Sequence, residues 1–176
     1  MEDKLLNILN DTKHITYGWV DKCGIKHTQA KKNFFIDNYR YSSIEDTLKN
    51  KVGTCFEIAA LMKYYLDKEN ISNDNYIIMY NDPNKICKHA TCVAYANNKY
   101  YLVENSWILE NPLQVFDSLN DLLLFVIWRF PKMYKLEPMD TNLIEVYKYN
   151  DPKVGLTYQE FVDFVKTGEK IEVIYK

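Results

Sequence analysis

Residues 52–66 bring a thiol to the start of a predicted helix. Apolar side chains at positions 58, 61, 62, 65 and 66 recur at the spacing of one helical face, which predicts a helix buried along one side. Cys55 falls in the first turn, where unpaired N–H groups and the positive end of the helix dipole favour a thiolate. Gly53 is expected to allow a sharp turn and to leave room for a substrate. The pattern fits a nucleophile, and it equally fits a small buried core cysteine.

The chain on either side of Asn97 and Asn98 is predicted to form a β-hairpin that carries an imidazole and a carboxylate. Two runs rich in Val, Ala, Tyr and Leu flank this pair, and Asn tolerates the positive φ angles of a tight turn. If the turn holds these two residues, Thr91 lies opposite Glu104 across the ladder. His89 is two residues before Thr91, so it lies on the same face as Glu104.

The residue that orients His89 depends on the hairpin register. In the simplest register Glu104 stands beside His89, and Asn105 points to the opposite face of the sheet. A one-residue bulge would reverse this and offer Asn105 instead. We favour Glu104 because the simplest register needs no bulge.

The order of these residues resembles that of the transglutaminase-like superfamily. A helix opens with Gly-Thr-Cys, a strand begins with His89, and the hairpin returns to an acidic residue three positions before Trp107. The resemblance implies a papain-like α+β fold in which Cys is the nucleophile, His the base and an Asp its orienter. Carried over residue by residue, it implies Cys55, His89 and Glu104, and Glu in place of Asp adds one methylene of reach.

The likeness is closest to a branch of small bacterial transglutaminase-like proteins of unassigned function. In that branch a Tyr-Gly-Trp segment precedes the Cys helix, as residues 17–19 do here, and the likeness covers roughly residues 16–130. Tyr17, Trp19 and Trp107 are the aromatic residues expected to bind substrate, although large aromatic side chains more often belong to a core.

A second resemblance concerns Asn105-Ser106-Trp107, which is similar to the Asn-Ser-Trp segment of papain-like proteases, where Asn orients the catalytic His. Papain-like proteases carry Gln six residues before the catalytic Cys. The corresponding residue here is Lys49, which weakens the papain-type interpretation. The backbone N–H of Cys55 is a natural oxyanion donor at a helix N-terminus, and a second donor is not identified.

A thiol, an imidazole and a carboxylate together predict acyl transfer through a thioester on Cys55. The expected substrate is a peptide or protein with a reactive amide, and no cofactor is required. The sequence leaves open whether water or an amine receives the acyl group. It also leaves open an inactive binding module on the same fold, which the Glu at position 104 permits.

A zinc site is a further alternative. Cys87, His89 and Cys92 have ligand-like spacing, and Cys23 with His27 could complete the set. On an extended strand Cys92 faces away from His89, so only a loop before the strand would let the three side chains converge. The principal interpretation therefore contains no metal.

The length predicts a single domain over residues 1–176, with a core at about 16–130 and a C-terminal extension at about 131–176. We expect an α+β, papain-like or transglutaminase-like fold: N-terminal helices, the nucleophile at a helix N-terminus, an antiparallel sheet and a small C-terminal α/β unit. A net charge of −2 with interspersed charges gives no basis for binding nucleic acid or a membrane surface. The first residues lack a signal-peptide pattern and the cysteines lack a disulfide spacing, so we expect a cytoplasmic protein, with its oligomeric state open.

Overall fold

A computed structural model describes residues 1–29, 31–83, 85, 87–107, 111 and 113–175. Its helices are Glu2–Thr12 (α1), Lys32–Asn38 (α2), Ile44–Asn50 (α3), Cys55–Lys68 (α4), Leu119–Ile127 (α5), Phe130–Tyr134 (α6) and Tyr158–Val165 (α7). In these described residues, no helix has the length and apolarity needed to cross a membrane.

Strands of this chain form one central sheet and two short pairings near the N-terminus. The short strands are Thr16–Tyr17 (β1), Trp19–Val20 (β2), Lys26–His27 (β3) and Val52–Gly53 (β4). The longer ones are Ser72–Tyr80 (β5), Cys87–Ala96 (β6), Lys99–Val103 (β7), Leu113–Phe116 (β8), Ile144–Tyr149 (β9) and Glu169–Ile171 (β10). The central sheet has the order β10-β9-β5-β6-β7-β8, and every neighbouring pair is antiparallel. The prediction of helices combined with an antiparallel sheet is confirmed.

Helix α4 begins at the predicted nucleophile because Thr54 and Glu57 form a capping box. The Thr54 side chain accepts a hydrogen bond from the Phe56 N–H at 3.2 Å, and Glu57 accepts one from the Thr54 N–H at 2.9 Å. Every residue from 55 to 62 is buried, so the expected one-sided burial is wrong for the first two turns. Helices α1 and α3 pack against α4, and the sheet covers its other side.

The predicted hairpin is present with the predicted register. Asn97 and Asn98 both have positive φ angles, 52° and 57°, and form the turn between β6 and β7. Cys92 pairs with Val103, as a two-residue turn requires. Strand β7 ends at Val103, so the chain leaves the ladder at Glu104.

Two short strands connect the N-terminal segment to the start of α4. Strand β1 pairs in parallel with β4, and Tyr17 lies opposite Gly53. The role expected for Gly53 is wrong: a Cβ there would lie 3.0 Å from the Cβ of Glu57, so glycine makes room for the capping residue rather than for a substrate. The pairing brings Tyr17 beside the first turn of α4.

The C-terminal segment adds strands to the central sheet. Strand β9 lies next to β5, and β10 forms the edge, so β5 is paired on both sides. Helix α7 buries Phe161 and Val165 in the same hydrophobic cluster as Phe56 of α4. Pro131 stands in the first turn of α6, where its missing N–H costs no helical hydrogen bond.

Candidate active site

His89 and Glu104 form a buried hydrogen-bonded pair. Nε2 of His89 lies 2.7 Å from Oε2 of Glu104, and the two residues are only 1% and 2% exposed. Ser106 donates to the other carboxylate oxygen through its N–H at 2.6 Å and its hydroxyl at 2.5 Å. Burial alone would raise the pKa of Glu104, but the charge and hydrogen bond of His89, together with Ser106, outweigh it and lower the pKa. The carboxyl group is therefore held as the anion.

Asn105, the alternative orienter, points away from His89. Its side-chain amide donates at 2.8 Å to the Leu9 carbonyl and at 2.8 Å to the Thr12 hydroxyl, both in α1. Of the two candidates, Glu104 is the one in contact with the imidazole.

The Cys55 thiol lies against the strand that carries His89. The backbone N–H of Ala90, the residue that follows His89, and the Tyr17 hydroxyl both lie close enough to the sulfur to act on its pKa. Among the described residues, β7 pairs with β6 only from Cys92 onward, so no β7 residue lies opposite Ala90. The hydrogen bond to Glu104 occupies Nε2 of His89, so Nδ1 is the ring nitrogen that remains for another partner.

Burial, with a smaller contribution from the nearby Glu104 and Glu57 carboxyl groups, raises the pKa of Cys55 to about 12, although the Ala90 N–H and the Tyr17 hydroxyl act to lower it. The side chain is 3% exposed. The expectation that a helix N-terminus makes this cysteine a resting thiolate is therefore wrong, because loss of solvation outweighs the donors around the sulfur. The resting group is the neutral thiol.

The predicted substrate-binding residues line two cavities. Cys55 opens into a cavity of about 400 Å³, whose wall includes Tyr17 and Trp19. Trp107 lines a neighbouring cavity of about 640 Å³, and its ring stacks on His89 with 3.6 Å between centroids. Tyr17 and Tyr134 line both cavities. Trp19 is 3% exposed and packs mainly among aromatic rings, so it serves the core as well as the cavity wall.

Three residues of this site were not identified from the sequence. Tyr134 donates to the carbonyl of Lys88 at 3.0 Å and so ties α6 to the strand position before His89, a long-range contact without a local signal. The Ser106 N–H donates a hydrogen bond to the Glu104 carboxylate. A serine two residues after an acidic residue is a recognisable turn pattern. Glu57 accepts from Tyr39 at 2.5 Å, and burial raises its pKa against its hydrogen bonds. The Thr-x-x-Glu spacing of Thr54 and Glu57 is the sequence pattern of a capping box and could have identified this residue.

The proposed zinc set does not converge. Strand β6 begins at Cys87, so Cys87 and His89 are already extended and share one face, whereas alternation puts Cys92 on the opposite face. Cys87 packs with the cluster on the Trp107 side of the sheet, whereas Cys92 packs with the cluster on the α4 side. His27 is bonded to Asp21 at 2.8 Å in the β2–β3 turn region. Across the described ranges, no three His, Cys, Asp or Glu side chains form a group able to hold a metal.

Comparison with known families agrees with the resemblance. A family model described as Transglutaminase-like domain matches residues 3–118. The match spans more than half of the chain, so this protein belongs to the transglutaminase-like family. No curated protein and no solved structure is significantly similar to the chain.

Proposed function

We propose that this protein is a cysteine enzyme that cleaves an amide bond by acyl transfer to Cys55, with His89 as base and Glu104 as orienter. The observation that carries the proposal is the buried His89–Glu104 pair, formed directly beside the backbone N–H that binds the Cys55 thiol. We also infer the papain-like relation between helix and sheet, which the nucleophile at the start of α4 supports.

Because the resting thiol is neutral, the reaction begins with a proton transfer. His89 accepts the thiol proton through Nδ1 as sulfur attacks the carbonyl carbon of a bound amide, and Glu104 stabilises the imidazolium. Collapse of the tetrahedral intermediate breaks the C–N bond, and the leaving nitrogen takes the proton from His89. Water or a primary amine then attacks the thioester, giving up a proton to His89 and releasing the thiol.

Two donors are available for the oxyanion. The backbone N–H of Cys55 belongs to the first turn of α4 and has no partner within the helix. The Tyr17 side chain is 49% exposed, its hydroxyl lies near the sulfur, and the neighbouring Cys55 group is the largest cause that raises the pKa of Tyr17. The phenol therefore stays protonated and can donate, which supports Tyr17 as the second donor that the sequence did not identify.

Turnover of a peptide panel tests the proposal. Peptides containing Gln or Gly amides are incubated with the protein, with and without a primary amine, and their masses are followed. We expect loss of the amide nitrogen or amine incorporation with the native chain and with Cys23→Ser, and no change with Cys55→Ala. Equal conversion by Cys55→Ala and the native chain would overturn the proposal.

A second candidate, an inactive binding module, is favoured by one observation: Cys55 and His89 are both almost fully buried. In that case the two cavities bind a peptide without reaction. Peptide binding by the native chain, accompanied by no conversion of any panel member, would select this function over the enzyme.

A further inference from the structure

The cavity that contains Cys55 and the cavity that contains Trp107 share two wall residues. Tyr17 and Tyr134 line both, so the cavities lie on either side of these two side chains, close to the thiol. A peptide whose amide lies at Cys55 would therefore extend into both cavities, one on each side of the Tyr17–Tyr134 boundary.

Each cavity presents cationic side chains. Lys85 and Lys88 line the cavity that contains Cys55, and Arg129 and Lys132 line the cavity that contains Trp107. Among the described lining residues of both cavities there is no Asp or Glu. This concentration of positive charge runs against the net charge of −2 of the whole chain. The carboxyl groups closest to the thiol, Glu57 and Glu104, are buried behind the walls.

Some of these cations are held in place by the fold. The Arg129 guanidinium donates to the Phe125 carbonyl at 2.8 Å and lies 3.3 Å from the centre of the Phe125 ring. Lys88 lies over the Tyr158 ring at 5.6 Å, and its carbonyl binds Tyr134. Within the described part of the chain, Arg129 and Lys132 form no ion pair with a carboxylate. Their charge is therefore available to a ligand.

We propose that the substrate is an acidic peptide segment, with carboxylates on both sides of the amide that Cys55 attacks. This inference rests on the proposed function for the position of the amide, but the binding preference follows from the cavities alone. Solvent-accessible ion pairs are individually weak, so each cation contributes up to about five-fold in affinity. Arg129 and Lys132 act together on the Trp107 side, and screening by salt reduces the effect of all these charges.

Peptide binding to the Cys55→Ala chain tests the inference without requiring catalysis. Three fluorescent peptides share a central Gln and differ only in their flanks, which carry Asp and Glu, Asn and Gln, or Lys. Fluorescence anisotropy is measured at low and at physiological salt. We expect the acidic peptide to bind about ten-fold or more tightly than the neutral one at low salt, with a smaller advantage at physiological salt. The Lys peptide should bind most weakly.

Charge-removing variants locate the effect. In the Cys55→Ala background, Arg129→Gln with Lys132→Gln should remove most of the advantage that acidic residues on one flank provide. Lys13→Gln with Lys153→Gln removes the same charge from exposed positions elsewhere and should leave it unchanged. Equal affinity for the three peptides, or equal effects of the two double variants, would overturn the inference. If acidic peptides bind more tightly but the native chain converts none of them, only the proposed function is contradicted. If the native chain converts neutral and acidic peptides equally well, only this inference is contradicted.

Discussion

At the scale of single residues, the site depends on how the imidazole is held. Glu104 is fixed by two hydrogen bonds from Ser106 and faces Nε2 of His89, and the Trp107 ring covers one face of the imidazole. Trp107, expected to bind substrate, thus also restrains His89. These contacts leave the ring few ways to rotate, so the orientation of the imidazole, which the proposed proton transfer requires, is fixed by the fold.

Substitution of Glu104 separates it from Asn105 as the orienting residue. Glu104→Gln keeps the shape but removes the charge that stabilises the imidazolium, so kcat should fall by about two to four orders of magnitude. Asn105→Ala should leave kcat within a few-fold and lower the free energy of unfolding by roughly 1 kcal/mol for each lost hydrogen bond to α1. Steady-state rates and urea unfolding measure both. A large loss of kcat in Asn105→Ala with a small one in Glu104→Gln would reverse the assignment.

The raised pKa of Cys55 predicts how the thiols react. Iodoacetamide should modify the exposed Cys23 first at neutral pH, and Cys55 slowly, because the thiolate is the reactive form. Since the folded-state pKa is about 12, the rate at Cys55 should keep rising with pH through the alkaline range. Peptide mapping by mass spectrometry follows each site, and a denatured sample serves as the control in which both react. Rapid labelling of Cys55 at pH 7 would indicate a resting thiolate instead.

At the scale of secondary-structure elements, the start of α4 determines where the sulfur lies. The Thr54–Glu57 capping box fixes the first turn, and the β1–β4 pairing places Tyr17 against it. Glu57 is also bound by Tyr39, so the cap is connected to the aromatic core. Displacement of this turn moves the nucleophile and one proposed oxyanion donor together.

Thr54→Ala should therefore reduce both stability and activity. Loss of the cap is expected to lower the free energy of unfolding by about 1 to 2 kcal/mol and to decrease kcat as Cys55 shifts. Ser118→Ala removes an equivalent cap from α5, at the opposite end of that helix from the Trp107-lined cavity, and should cost similar stability with kcat unchanged. Thr54→Ser keeps a capping hydroxyl and should retain both the stability and the kcat of the native chain. Chemical denaturation and kcat, measured on the three variants, test this, and unaltered kcat in Thr54→Ala would contradict it.

Local patterns in the sequence were sufficient for the hairpin and for the start of α4 but not for their surroundings. The Asn97-Asn98 turn and side-chain alternation specify the hairpin register, and hence which face carries His89 and Glu104. The contact between Tyr17 and Cys55 depends on two-residue strands that have no periodic pattern. The pKa of Cys55 depends on burial by several distant elements, so a rule based on the helix N-terminus alone gave the wrong direction.

At the scale of the whole molecule, the central sheet is completed from the end of the chain. Strand β5 is buried from Asn75 onward and is paired with both β6 and β9, although β9 lies beyond the residues that match the family model. Helix α7 adds Phe161 and Val165 to the cluster that surrounds Cys55 and Phe56. The packing around the nucleophile thus depends on residues distant in sequence, and a single domain over 1–176 stays our prediction.

Truncation tests this dependence. A chain of residues 1–139 lacks β9, α7 and β10, exposes the β5 edge and removes aromatic core residues, and these losses exceed the roughly 5–15 kcal/mol that stabilise a typical domain. It should aggregate or unfold without a cooperative transition. A chain of residues 1–167 loses β10 and the segment after it, including the Ile174–Asn120 hydrogen bonds, and should still melt cooperatively at a lower temperature. Circular dichroism during heating distinguishes them, and cooperative melting of 1–139 would show that the C-terminal segment is dispensable.

Capture of the acyl-enzyme is the most direct test of the central claim. A peptide amide is mixed with the protein, the reaction is quenched in acid to preserve thioesters, and the modified residue is mapped by mass spectrometry. We predict an acyl group on Cys55 that hydroxylamine removes, and none on Cys55 in His89→Ala, whose fold is checked by circular dichroism. Acylation of Cys23 in place of Cys55, or acylation of Cys55 to the same extent in His89→Ala, would contradict the account.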